Sequence, residues 1–191
     1  FSDQDEITCD TDPLLASSKP LDTDNDGIAN CIDTDDDNDS YLDESDAFPL
    51  DATEWLDTDN DGIGNNADTD DDNDGFSDQD EITCDTDPLL ASSKPLDTDN
   101  DGIANCIDTD DDNDGFSDQD EIACGSDSLD ATSTPLDTDS DFIPNCVDTD
   151  DDNDGYLDES DAFPLDATEW LDTDSDGIGN NTDKDDDGDD Q

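Results

Sequence analysis

Aspartate recurs at alternate positions in the run Asp22-Thr23-Asp24-Asn25-Asp26-Gly27, and runs of the form D-x-D-x-D open nine twelve-residue stretches of this chain. Asp, Asn and Gly are poor residues for the interior of a helix or a strand. A glycine directly after the third aspartate permits the left-handed backbone that a tight bend requires. The pattern predicts loops that turn their own carboxylates inward, an arrangement that costs heavily unless a cation neutralises it.

Counting from the first aspartate gives oxygen donors at positions 1, 3, 5, 7, 9 and 12, the spacing with which a twelve-residue loop surrounds calcium. Five loops share one form. Position 1 is Asp22, Asp57, Asp97, Asp137 or Asp172; position 3 is Asp24, Asp59, Asp99, Asp139 or Asp174; position 5 is Asp26, Asp61, Asp101, Asp141 or Asp176. Ile28, Ile63, Ile103, Ile143 and Ile178 offer carbonyls at position 7, Asn30, Asn65, Asn105, Asn145 and Asn180 stand at 9, and Asp33, Asp68, Asp108, Asp148 and Asp183 close at 12. Four loops of a second form follow two residues later. They open with Asp35, Asp70, Asp110 and Asp150, continue through Asp37, Asp72, Asp112 and Asp152, and reach Asp39, Asp74, Asp114 and Asp154 at position 5. Tyr41, Phe76, Phe116 and Tyr156 take position 7, Asp43, Asp78, Asp118 and Asp158 position 9, and Asp46, Glu81, Glu121 and Asp161 position 12. Half-motifs stand at the ends, at Phe1, Asp3 and Glu6 and at Asp185, Asp187 and Asp189.

The ligand positions of those loops hold 40 of the 66 acids in a chain with only 3 basic residues, no His and a formal charge of -63. An acidic solvated tail has no reason to fix a glycine at one offset, so the charge reads as ligand density. Leu, Ile, Val and Phe supply only 31 of 191 residues, too few for a large core at this charge. Nucleic acid would be repelled, and no apolar run reaches membrane-spanning length. Oxygen donors without imidazole, and no site pairing thiolate with imidazole, favour calcium over zinc or copper, and the loose geometry favours it over magnesium. Nine such ions would bring the charge to about -45. Further ions are expected at Asp36, Asp71, Asp111 and Asp151, which lie between paired loops.

The sequence repeats itself from Leu21, Leu56, Leu96, Leu136 and Leu171, at intervals of 35, 40, 40 and 35 residues. The expected divisions are 1–20, 21–55, 56–95, 96–135, 136–170 and 171–191, a one-dimensional array read as a window of a longer polypeptide. Long repeats carry a spacer such as FSDQDEITCDTDPLLASSKP, and short ones carry YLDESDAFPLDATEW. Six cysteines form pairs 22 residues apart, and where a short repeat lacks the first, Asn66 or Asn181 replaces the second. Joint loss is how disulfide partners behave, which predicts Cys9–Cys31, Cys84–Cys106 and Cys124–Cys146, each contributing roughly 3 kcal/mol in an oxidising compartment.

Single helical turns are expected over 78–83 and 118–123. Trp55 and Trp170, in place of the Pro at 20, 95 and 135, are read as packing over a short linker rather than as a sugar platform. Asn38-Asp39-Ser40 and Asn180-Asn181-Thr182 match the glycosylation pattern but lie inside loops. Ser40 and Phe142 replace Gly at position 6, where a side chain is strained at positive φ, so weaker binding is expected there.

Taken with its DTDNDG and DTDDDNDGFSDQDEI stretches, the chain resembles the thrombospondin type 3 repeats, particularly the bacterial version. The resemblance implies an irregular, calcium-stabilised tandem repeat, elongated, with little regular secondary structure and no single hydrophobic core. It also implies side-chain ligands at positions 1, 3, 5 and 12, a carbonyl at 7, and a direct or water-mediated role at 9. The expected function is an extracellular or cell-surface rod, stalk or fibre. A partner-binding adhesion module and an acidic calcium buffer or mineral-nucleating polymer are the alternatives. Possible partners are copies of itself or a larger surface protein. Carboxylates abound, but no nucleophile, His or apolar pocket distinguishes any of them, and no catalysis is expected.

Overall fold

Each of these loops is a ring closed by two hydrogen bonds. The N–H at position 9 donates to the carbonyl just before the loop, as from Asn30 to Leu21 at 3.0 Å and from Asp118 to Thr109 at 3.0 Å. The N–H at position 2 donates back to the side chain at position 9, as from Thr23 to Asn30 Oδ1 at 2.9 Å and from Asp111 to Asp118 Oδ1 at 2.9 Å. Inside the ring, the aspartates at positions 3 and 5 each accept the N–H two residues on, which is the Asx turn these side chains favour. Asp112 takes Asp114 N–H at 3.2 Å and Asp114 takes Phe116 N–H at 2.9 Å.

The computed structural model describes residues 1–189. Among them no strand forms, and the regular structure is three helices: α1 (Asp3–Thr8), α2 (Asp78–Thr83) and α3 (Asp118–Cys124). Isolated helices of this length are not stable in water, so these are held by their ends. Ser2, Ser77 and Ser117 cap them, each hydroxyl accepting from an N–H three residues on. The expected turns at 78–83 and 118–123 are present. The reading missed α1, although its FSDQDEIT stretch equals that of α2, and it stopped one residue short of Cys124, which Gly125 allows by capping α3 at φ 80°.

The chain divides into two compact bodies, Phe1–Pro95 and Leu96–Gln191. The first holds four complete loops with α1 and α2, and the second holds five with α3. Cys9 pairs with Cys31 and Cys124 with Cys146, each at a Cα separation of 5.5 Å. Cys84 and Cys106 are disulfide-bonded as well, and no cysteine is free. The spacers that carry Cys9 and Cys124 are thereby tied to position 10 of the loop that follows, at Cys31 and Cys146.

Apolar burial is slight. Ala29, Phe76, Ala104 and Phe116 are the buried hydrophobic residues among those described, with Pro144 also enclosed, whereas Leu14 is 93% exposed. The aromatic ring at position 7 of each second-form loop is covered by a different residue. Trp55 stacks on Tyr41 at 5.1 Å and Trp170 on Tyr156 at 5.2 Å, so the tryptophans pack as expected. Lys94 lies 5.2 Å over the Phe76 ring. In the third pair Thr134 stands where Lys94 would, and Phe142 covers Phe116 instead, its ring 6.1 Å away and against Gly115.

Phe142 therefore has a packing role that its position in the loop concealed. It holds φ at 72°, close to the 92° of Gly102, and its N–H donates to Asp137 Oδ2 at 3.1 Å as Gly102 N–H does to Asp97 Oδ2 at 3.2 Å. Ser40 likewise sits at φ 86°. A left-handed conformation costs a side-chain-bearing residue about 1–2 kcal/mol. Phe142→Ala is expected to unfold at lower denaturant than Phe142→Gly by about 1 kcal/mol, since glycine escapes that penalty. Equal stabilities of the two variants in calcium would contradict the strain.

Candidate metal centre

The side chains that fill the interior are anionic. Asp37, Glu54, Asp71, Glu81, Asp111, Asp112, Glu121, Asp152 and Glu169 are all buried, and Glu81 and Glu121 are wholly inaccessible. A buried carboxylate without a partner costs several kcal/mol.

Local hydrogen bonding sets which oxygens remain for a ligand. In the loop from Asp110, the N–H of Gly115 occupies Asp110 Oδ2 at 3.1 Å, and the Asx turns occupy Asp112 Oδ1 and Asp114 Oδ1. That leaves Asp110 Oδ1, Asp112 Oδ2, Asp114 Oδ2 and Glu121 Oε2 buried and without a hydrogen-bond partner. The loop from Asp150 leaves Asp150 Oδ1, Asp152 Oδ2, Asp154 Oδ2 and Asp161 Oδ2, and that from Asp35 leaves Asp35 Oδ1, Asp37 Oδ2, Asp39 Oδ2 and Asp46 Oδ2. The loop from Asp70 leaves Asp72 Oδ2, Asp74 Oδ2 and Glu81 Oε2. These unsatisfied atoms belong to positions 1, 3, 5 and 12. Oxygen atoms of positions 1, 3 and 5 lie within 4.8 Å of one another in the loops from Asp22, Asp35, Asp57, Asp70 and Asp97, and the described residues hold five further groups of potential ligands gathered as closely. An all-oxygen set gathered this way suits a hard divalent cation, and calcium fits its loose geometry.

First-form loops are more open. Only Asp22 Oδ1 and Asp139 Oδ2 among their side chains are buried and unpartnered, and the carboxylates at position 5 are exposed. Their position 9 is engaged in closing the ring: the amide of Asn105 accepts from Thr98 N–H at 2.9 Å and donates to Thr98 Oγ1 at 2.8 Å. Asn65 and Asn145 also donate to Asp71 and Asp151, at 3.0 and 2.8 Å. Asp36, Asp71, Asp111 and Asp151, expected to hold further ions, each keep one buried oxygen without a hydrogen-bond partner.

Sequence reading missed what joins the loops of a pair. Asn38, Asn73 and Asn113, at position 4 of the second loop, donate across 14 residues to position 3 of the first, Asp24, Asp59 and Asp99, at 2.6, 2.8 and 2.7 Å. In the pair containing Phe142 the bond goes from Asn153 to Asp141 at 3.4 Å, and Asp139 Oδ2 is left without a hydrogen-bond partner. An invariable asparagine in all four second-form loops was the available signal. The asparagines of the two glycosylation matches are engaged inside the loops, Asn38 with Asp24 and Asn180 with Thr173.

Desolvation raises the carboxyls at the centre, and neighbouring aspartates add to it. Asp71 is pushed up to about 6 by burial and then by Asp78 and Asp68. Glu81 is pushed up to about 7 by burial and then by Asp72 and Asp74. Burial likewise raises Asp37, Asp111, Asp112, Glu121 and Asp152.

A raised carboxyl binds its proton more tightly in the fold, so the metal-free fold is more stable below Glu81's ordinary value of 4.5 and loses that stability as pH rises through about 7. Calcium competes with the same protons, so its affinity is expected to fall as pH drops through that window. Calcium titrations across it, with thermal melts of the chelated chain, measure both trends. A chelated chain more stable at the upper end would contradict the assignment.

No curated protein matches the chain. The sequence profile of the bacterial TSP3 repeat matches residues 1–16, 70–91 and 110–131. The two internal matches start at Asp70 and Asp110, run through α2 and α3 into the long spacer, and leave the short repeats outside. At those three places the chain is similar to the bacterial TSP3 repeat, and that likeness together with its groups of acids points to a calcium-binding repeat protein.

Proposed function

We propose that the chain is a non-catalytic, calcium-rigidified structural element of an extracellular or cell-surface protein, serving as a rod, stalk or fibre segment. The observation that carries this reading is the composition of the interior, where, among the described residues, nine buried acids outnumber the buried Ala29, Phe76, Ala104 and Phe116 and the buried prolines Pro20, Pro95 and Pro144 taken together. Such a chain has little to fold around except its ions, so ion binding supplies the folding free energy. Calcium outside cells is abundant enough to keep such loops filled, and the disulfides suit the same compartment. Tandem repeats in which each loop closes on itself extend by addition, which fits a spacer or a filament better than a single recognition site.

Asp35, Asp37, Asp39 and Asp46 would hold an ion by side chains, with Tyr41 contributing its carbonyl, and the other second-form loops would do so in the same way. The ion supplies neutralisation and cross-linking of the loop.

Chelation is the direct test. In calcium the chain is expected to show defined scattering from a folded, extended particle. In chelator it is expected to scatter as a disordered coil, with circular dichroism losing its structured signal. A profile unchanged by chelation would overturn the reading, and flexible isolated chains in calcium by electron microscopy would favour a buffer instead.

A further inference from the structure

The short repeats lack the disulfide, yet they too are tied at position 10 of the loop that follows. In the long repeats that position is Cys31, Cys106 or Cys146, and in the short ones Asn66 or Asn181. The N–H of Asn66 donates to Glu54 Oε2 at 3.0 Å, and its side-chain Nδ2 donates to the Thr53 carbonyl at 2.6 Å. Asn181 repeats both bonds with Glu169 and Thr168, at 2.9 and 2.5 Å. Each bond spans 12 or 13 residues and joins spacer to loop, as the cystines do over 22.

Two further substitutions accompany this one. Glu54 and Glu169 stand where the long repeats have Lys19, Lys94 or Thr134, and they are only 7% and 5% exposed. Position 8 of the loop, Ala29, Ala104 or Pro144 elsewhere, becomes Gly64 or Gly179. A Cβ on either glycine would collide with the carboxylate of Glu54 or Glu169, while neither glycine has positive φ. Space for the glutamate, not backbone freedom, accounts for them. Three positions spanning 12 residues thus change together in both short repeats and meet at one point.

We propose that Glu54 and Glu169 are positioning residues for the calcium loops Asp57–Asp68 and Asp172–Asp183, holding position 10 by hydrogen bonds where the long repeats use a disulfide. The role rests on the calcium reading given above. Position 10 lies between the carbonyl at 7 and the carboxylate at 12, so fixing it presets the distance between those two donors. The chain consequently has two kinds of joint, and a thiol reductant opens only one of them.

The chain's two tryptophans, Trp55 and Trp170, each adjoin one of these glutamates and stand two residues before the loop concerned. Because the same rings stack on Tyr41 and Tyr156, terbium luminescence excited through tryptophan reports on the loops from Asp35 and Asp150 as well as, in the full chain, on the loops Asp57–Asp68 and Asp172–Asp183. E54A with E169A is expected to weaken terbium there by about tenfold or more, as loss of a group that orients a ligand does. E54Q with E169Q, whose amide oxygen still accepts the N–H, should bind as the parent chain does. Hydrogen exchange supplies a readout independent of metal affinity. Reductant should speed exchange around Cys31, Cys106 and Cys146 and leave residues 53–68 and 168–183 protected, whereas the alanine variant should open those two segments and no others. Terbium bound equally by the parent and alanine chains, or glutamine variants as weak as alanine, would overturn the proposal. Failure of the parent chain to sensitise terbium would instead remove the calcium reading on which the proposal stands.

Discussion

Burial of carboxylate against carboxylate is the interaction on which everything else in this chain depends. Glu81 and Glu121 are completely enclosed, and 3 basic residues could never balance 66 acids even if all were internal. Desolvation and mutual repulsion therefore accumulate repeat after repeat, raising carboxyls such as Asp71 and Glu81 far above their ordinary range. A protein of this composition cannot be stabilised by its apolar groups, because the buried Ala29, Phe76, Ala104 and Phe116 remove too little area from water. Cations from outside must supply the missing attraction, and the fold is the arrangement that offers them oxygens already gathered.

Gathering is achieved by short-range bonds. Asx turns at positions 3 and 5 consume one oxygen of each aspartate and point the other inward, and the N–H at position 6 takes one oxygen of position 1. The bend at position 6 sets the direction of the remaining carbonyl and carboxylate. Because these bonds lie within a dozen residues, each loop is specified by its own sequence and the chain can repeat it without a global core. Long-range ties then fix one loop to the next: asparagine to aspartate within a pair, cystine or glutamate between spacer and loop.

This division also explains what could be read from the sequence. The gathering of the carboxylates at positions 1, 3 and 5 was legible because their spacing is a local pattern, and the cystines were legible because both partners disappear together at Asn66 and Asn181. The use of position 9 to close the ring was not, since Asn30 or Asp43 can equally face an ion, and only the structure shows Thr23 or Asp36 donating to it. The bonds from Asn38 to Asp24 and from Asn66 to Glu54 connect residues 14 and 12 apart, beyond the reach of a motif. Phe142 read as a defect at a glycine position. Its function as a cover for Phe116 depends on Thr134 being too small to do what Lys94 does, a substitution eight residues away.

The central claim is that the unpartnered oxygens of the second-form loops belong to bound calcium. A crystal of the calcium-loaded chain, examined by anomalous scattering, tests it atom by atom. The account predicts a peak about 2.3–2.6 Å from Asp110 Oδ1, Asp112 Oδ2, Asp114 Oδ2 and Glu121 Oε2, and the same in the loops from Asp35 and Asp150. Clear density for these carboxylates with no ion among them, or with their side chains turned out to solvent, would contradict it.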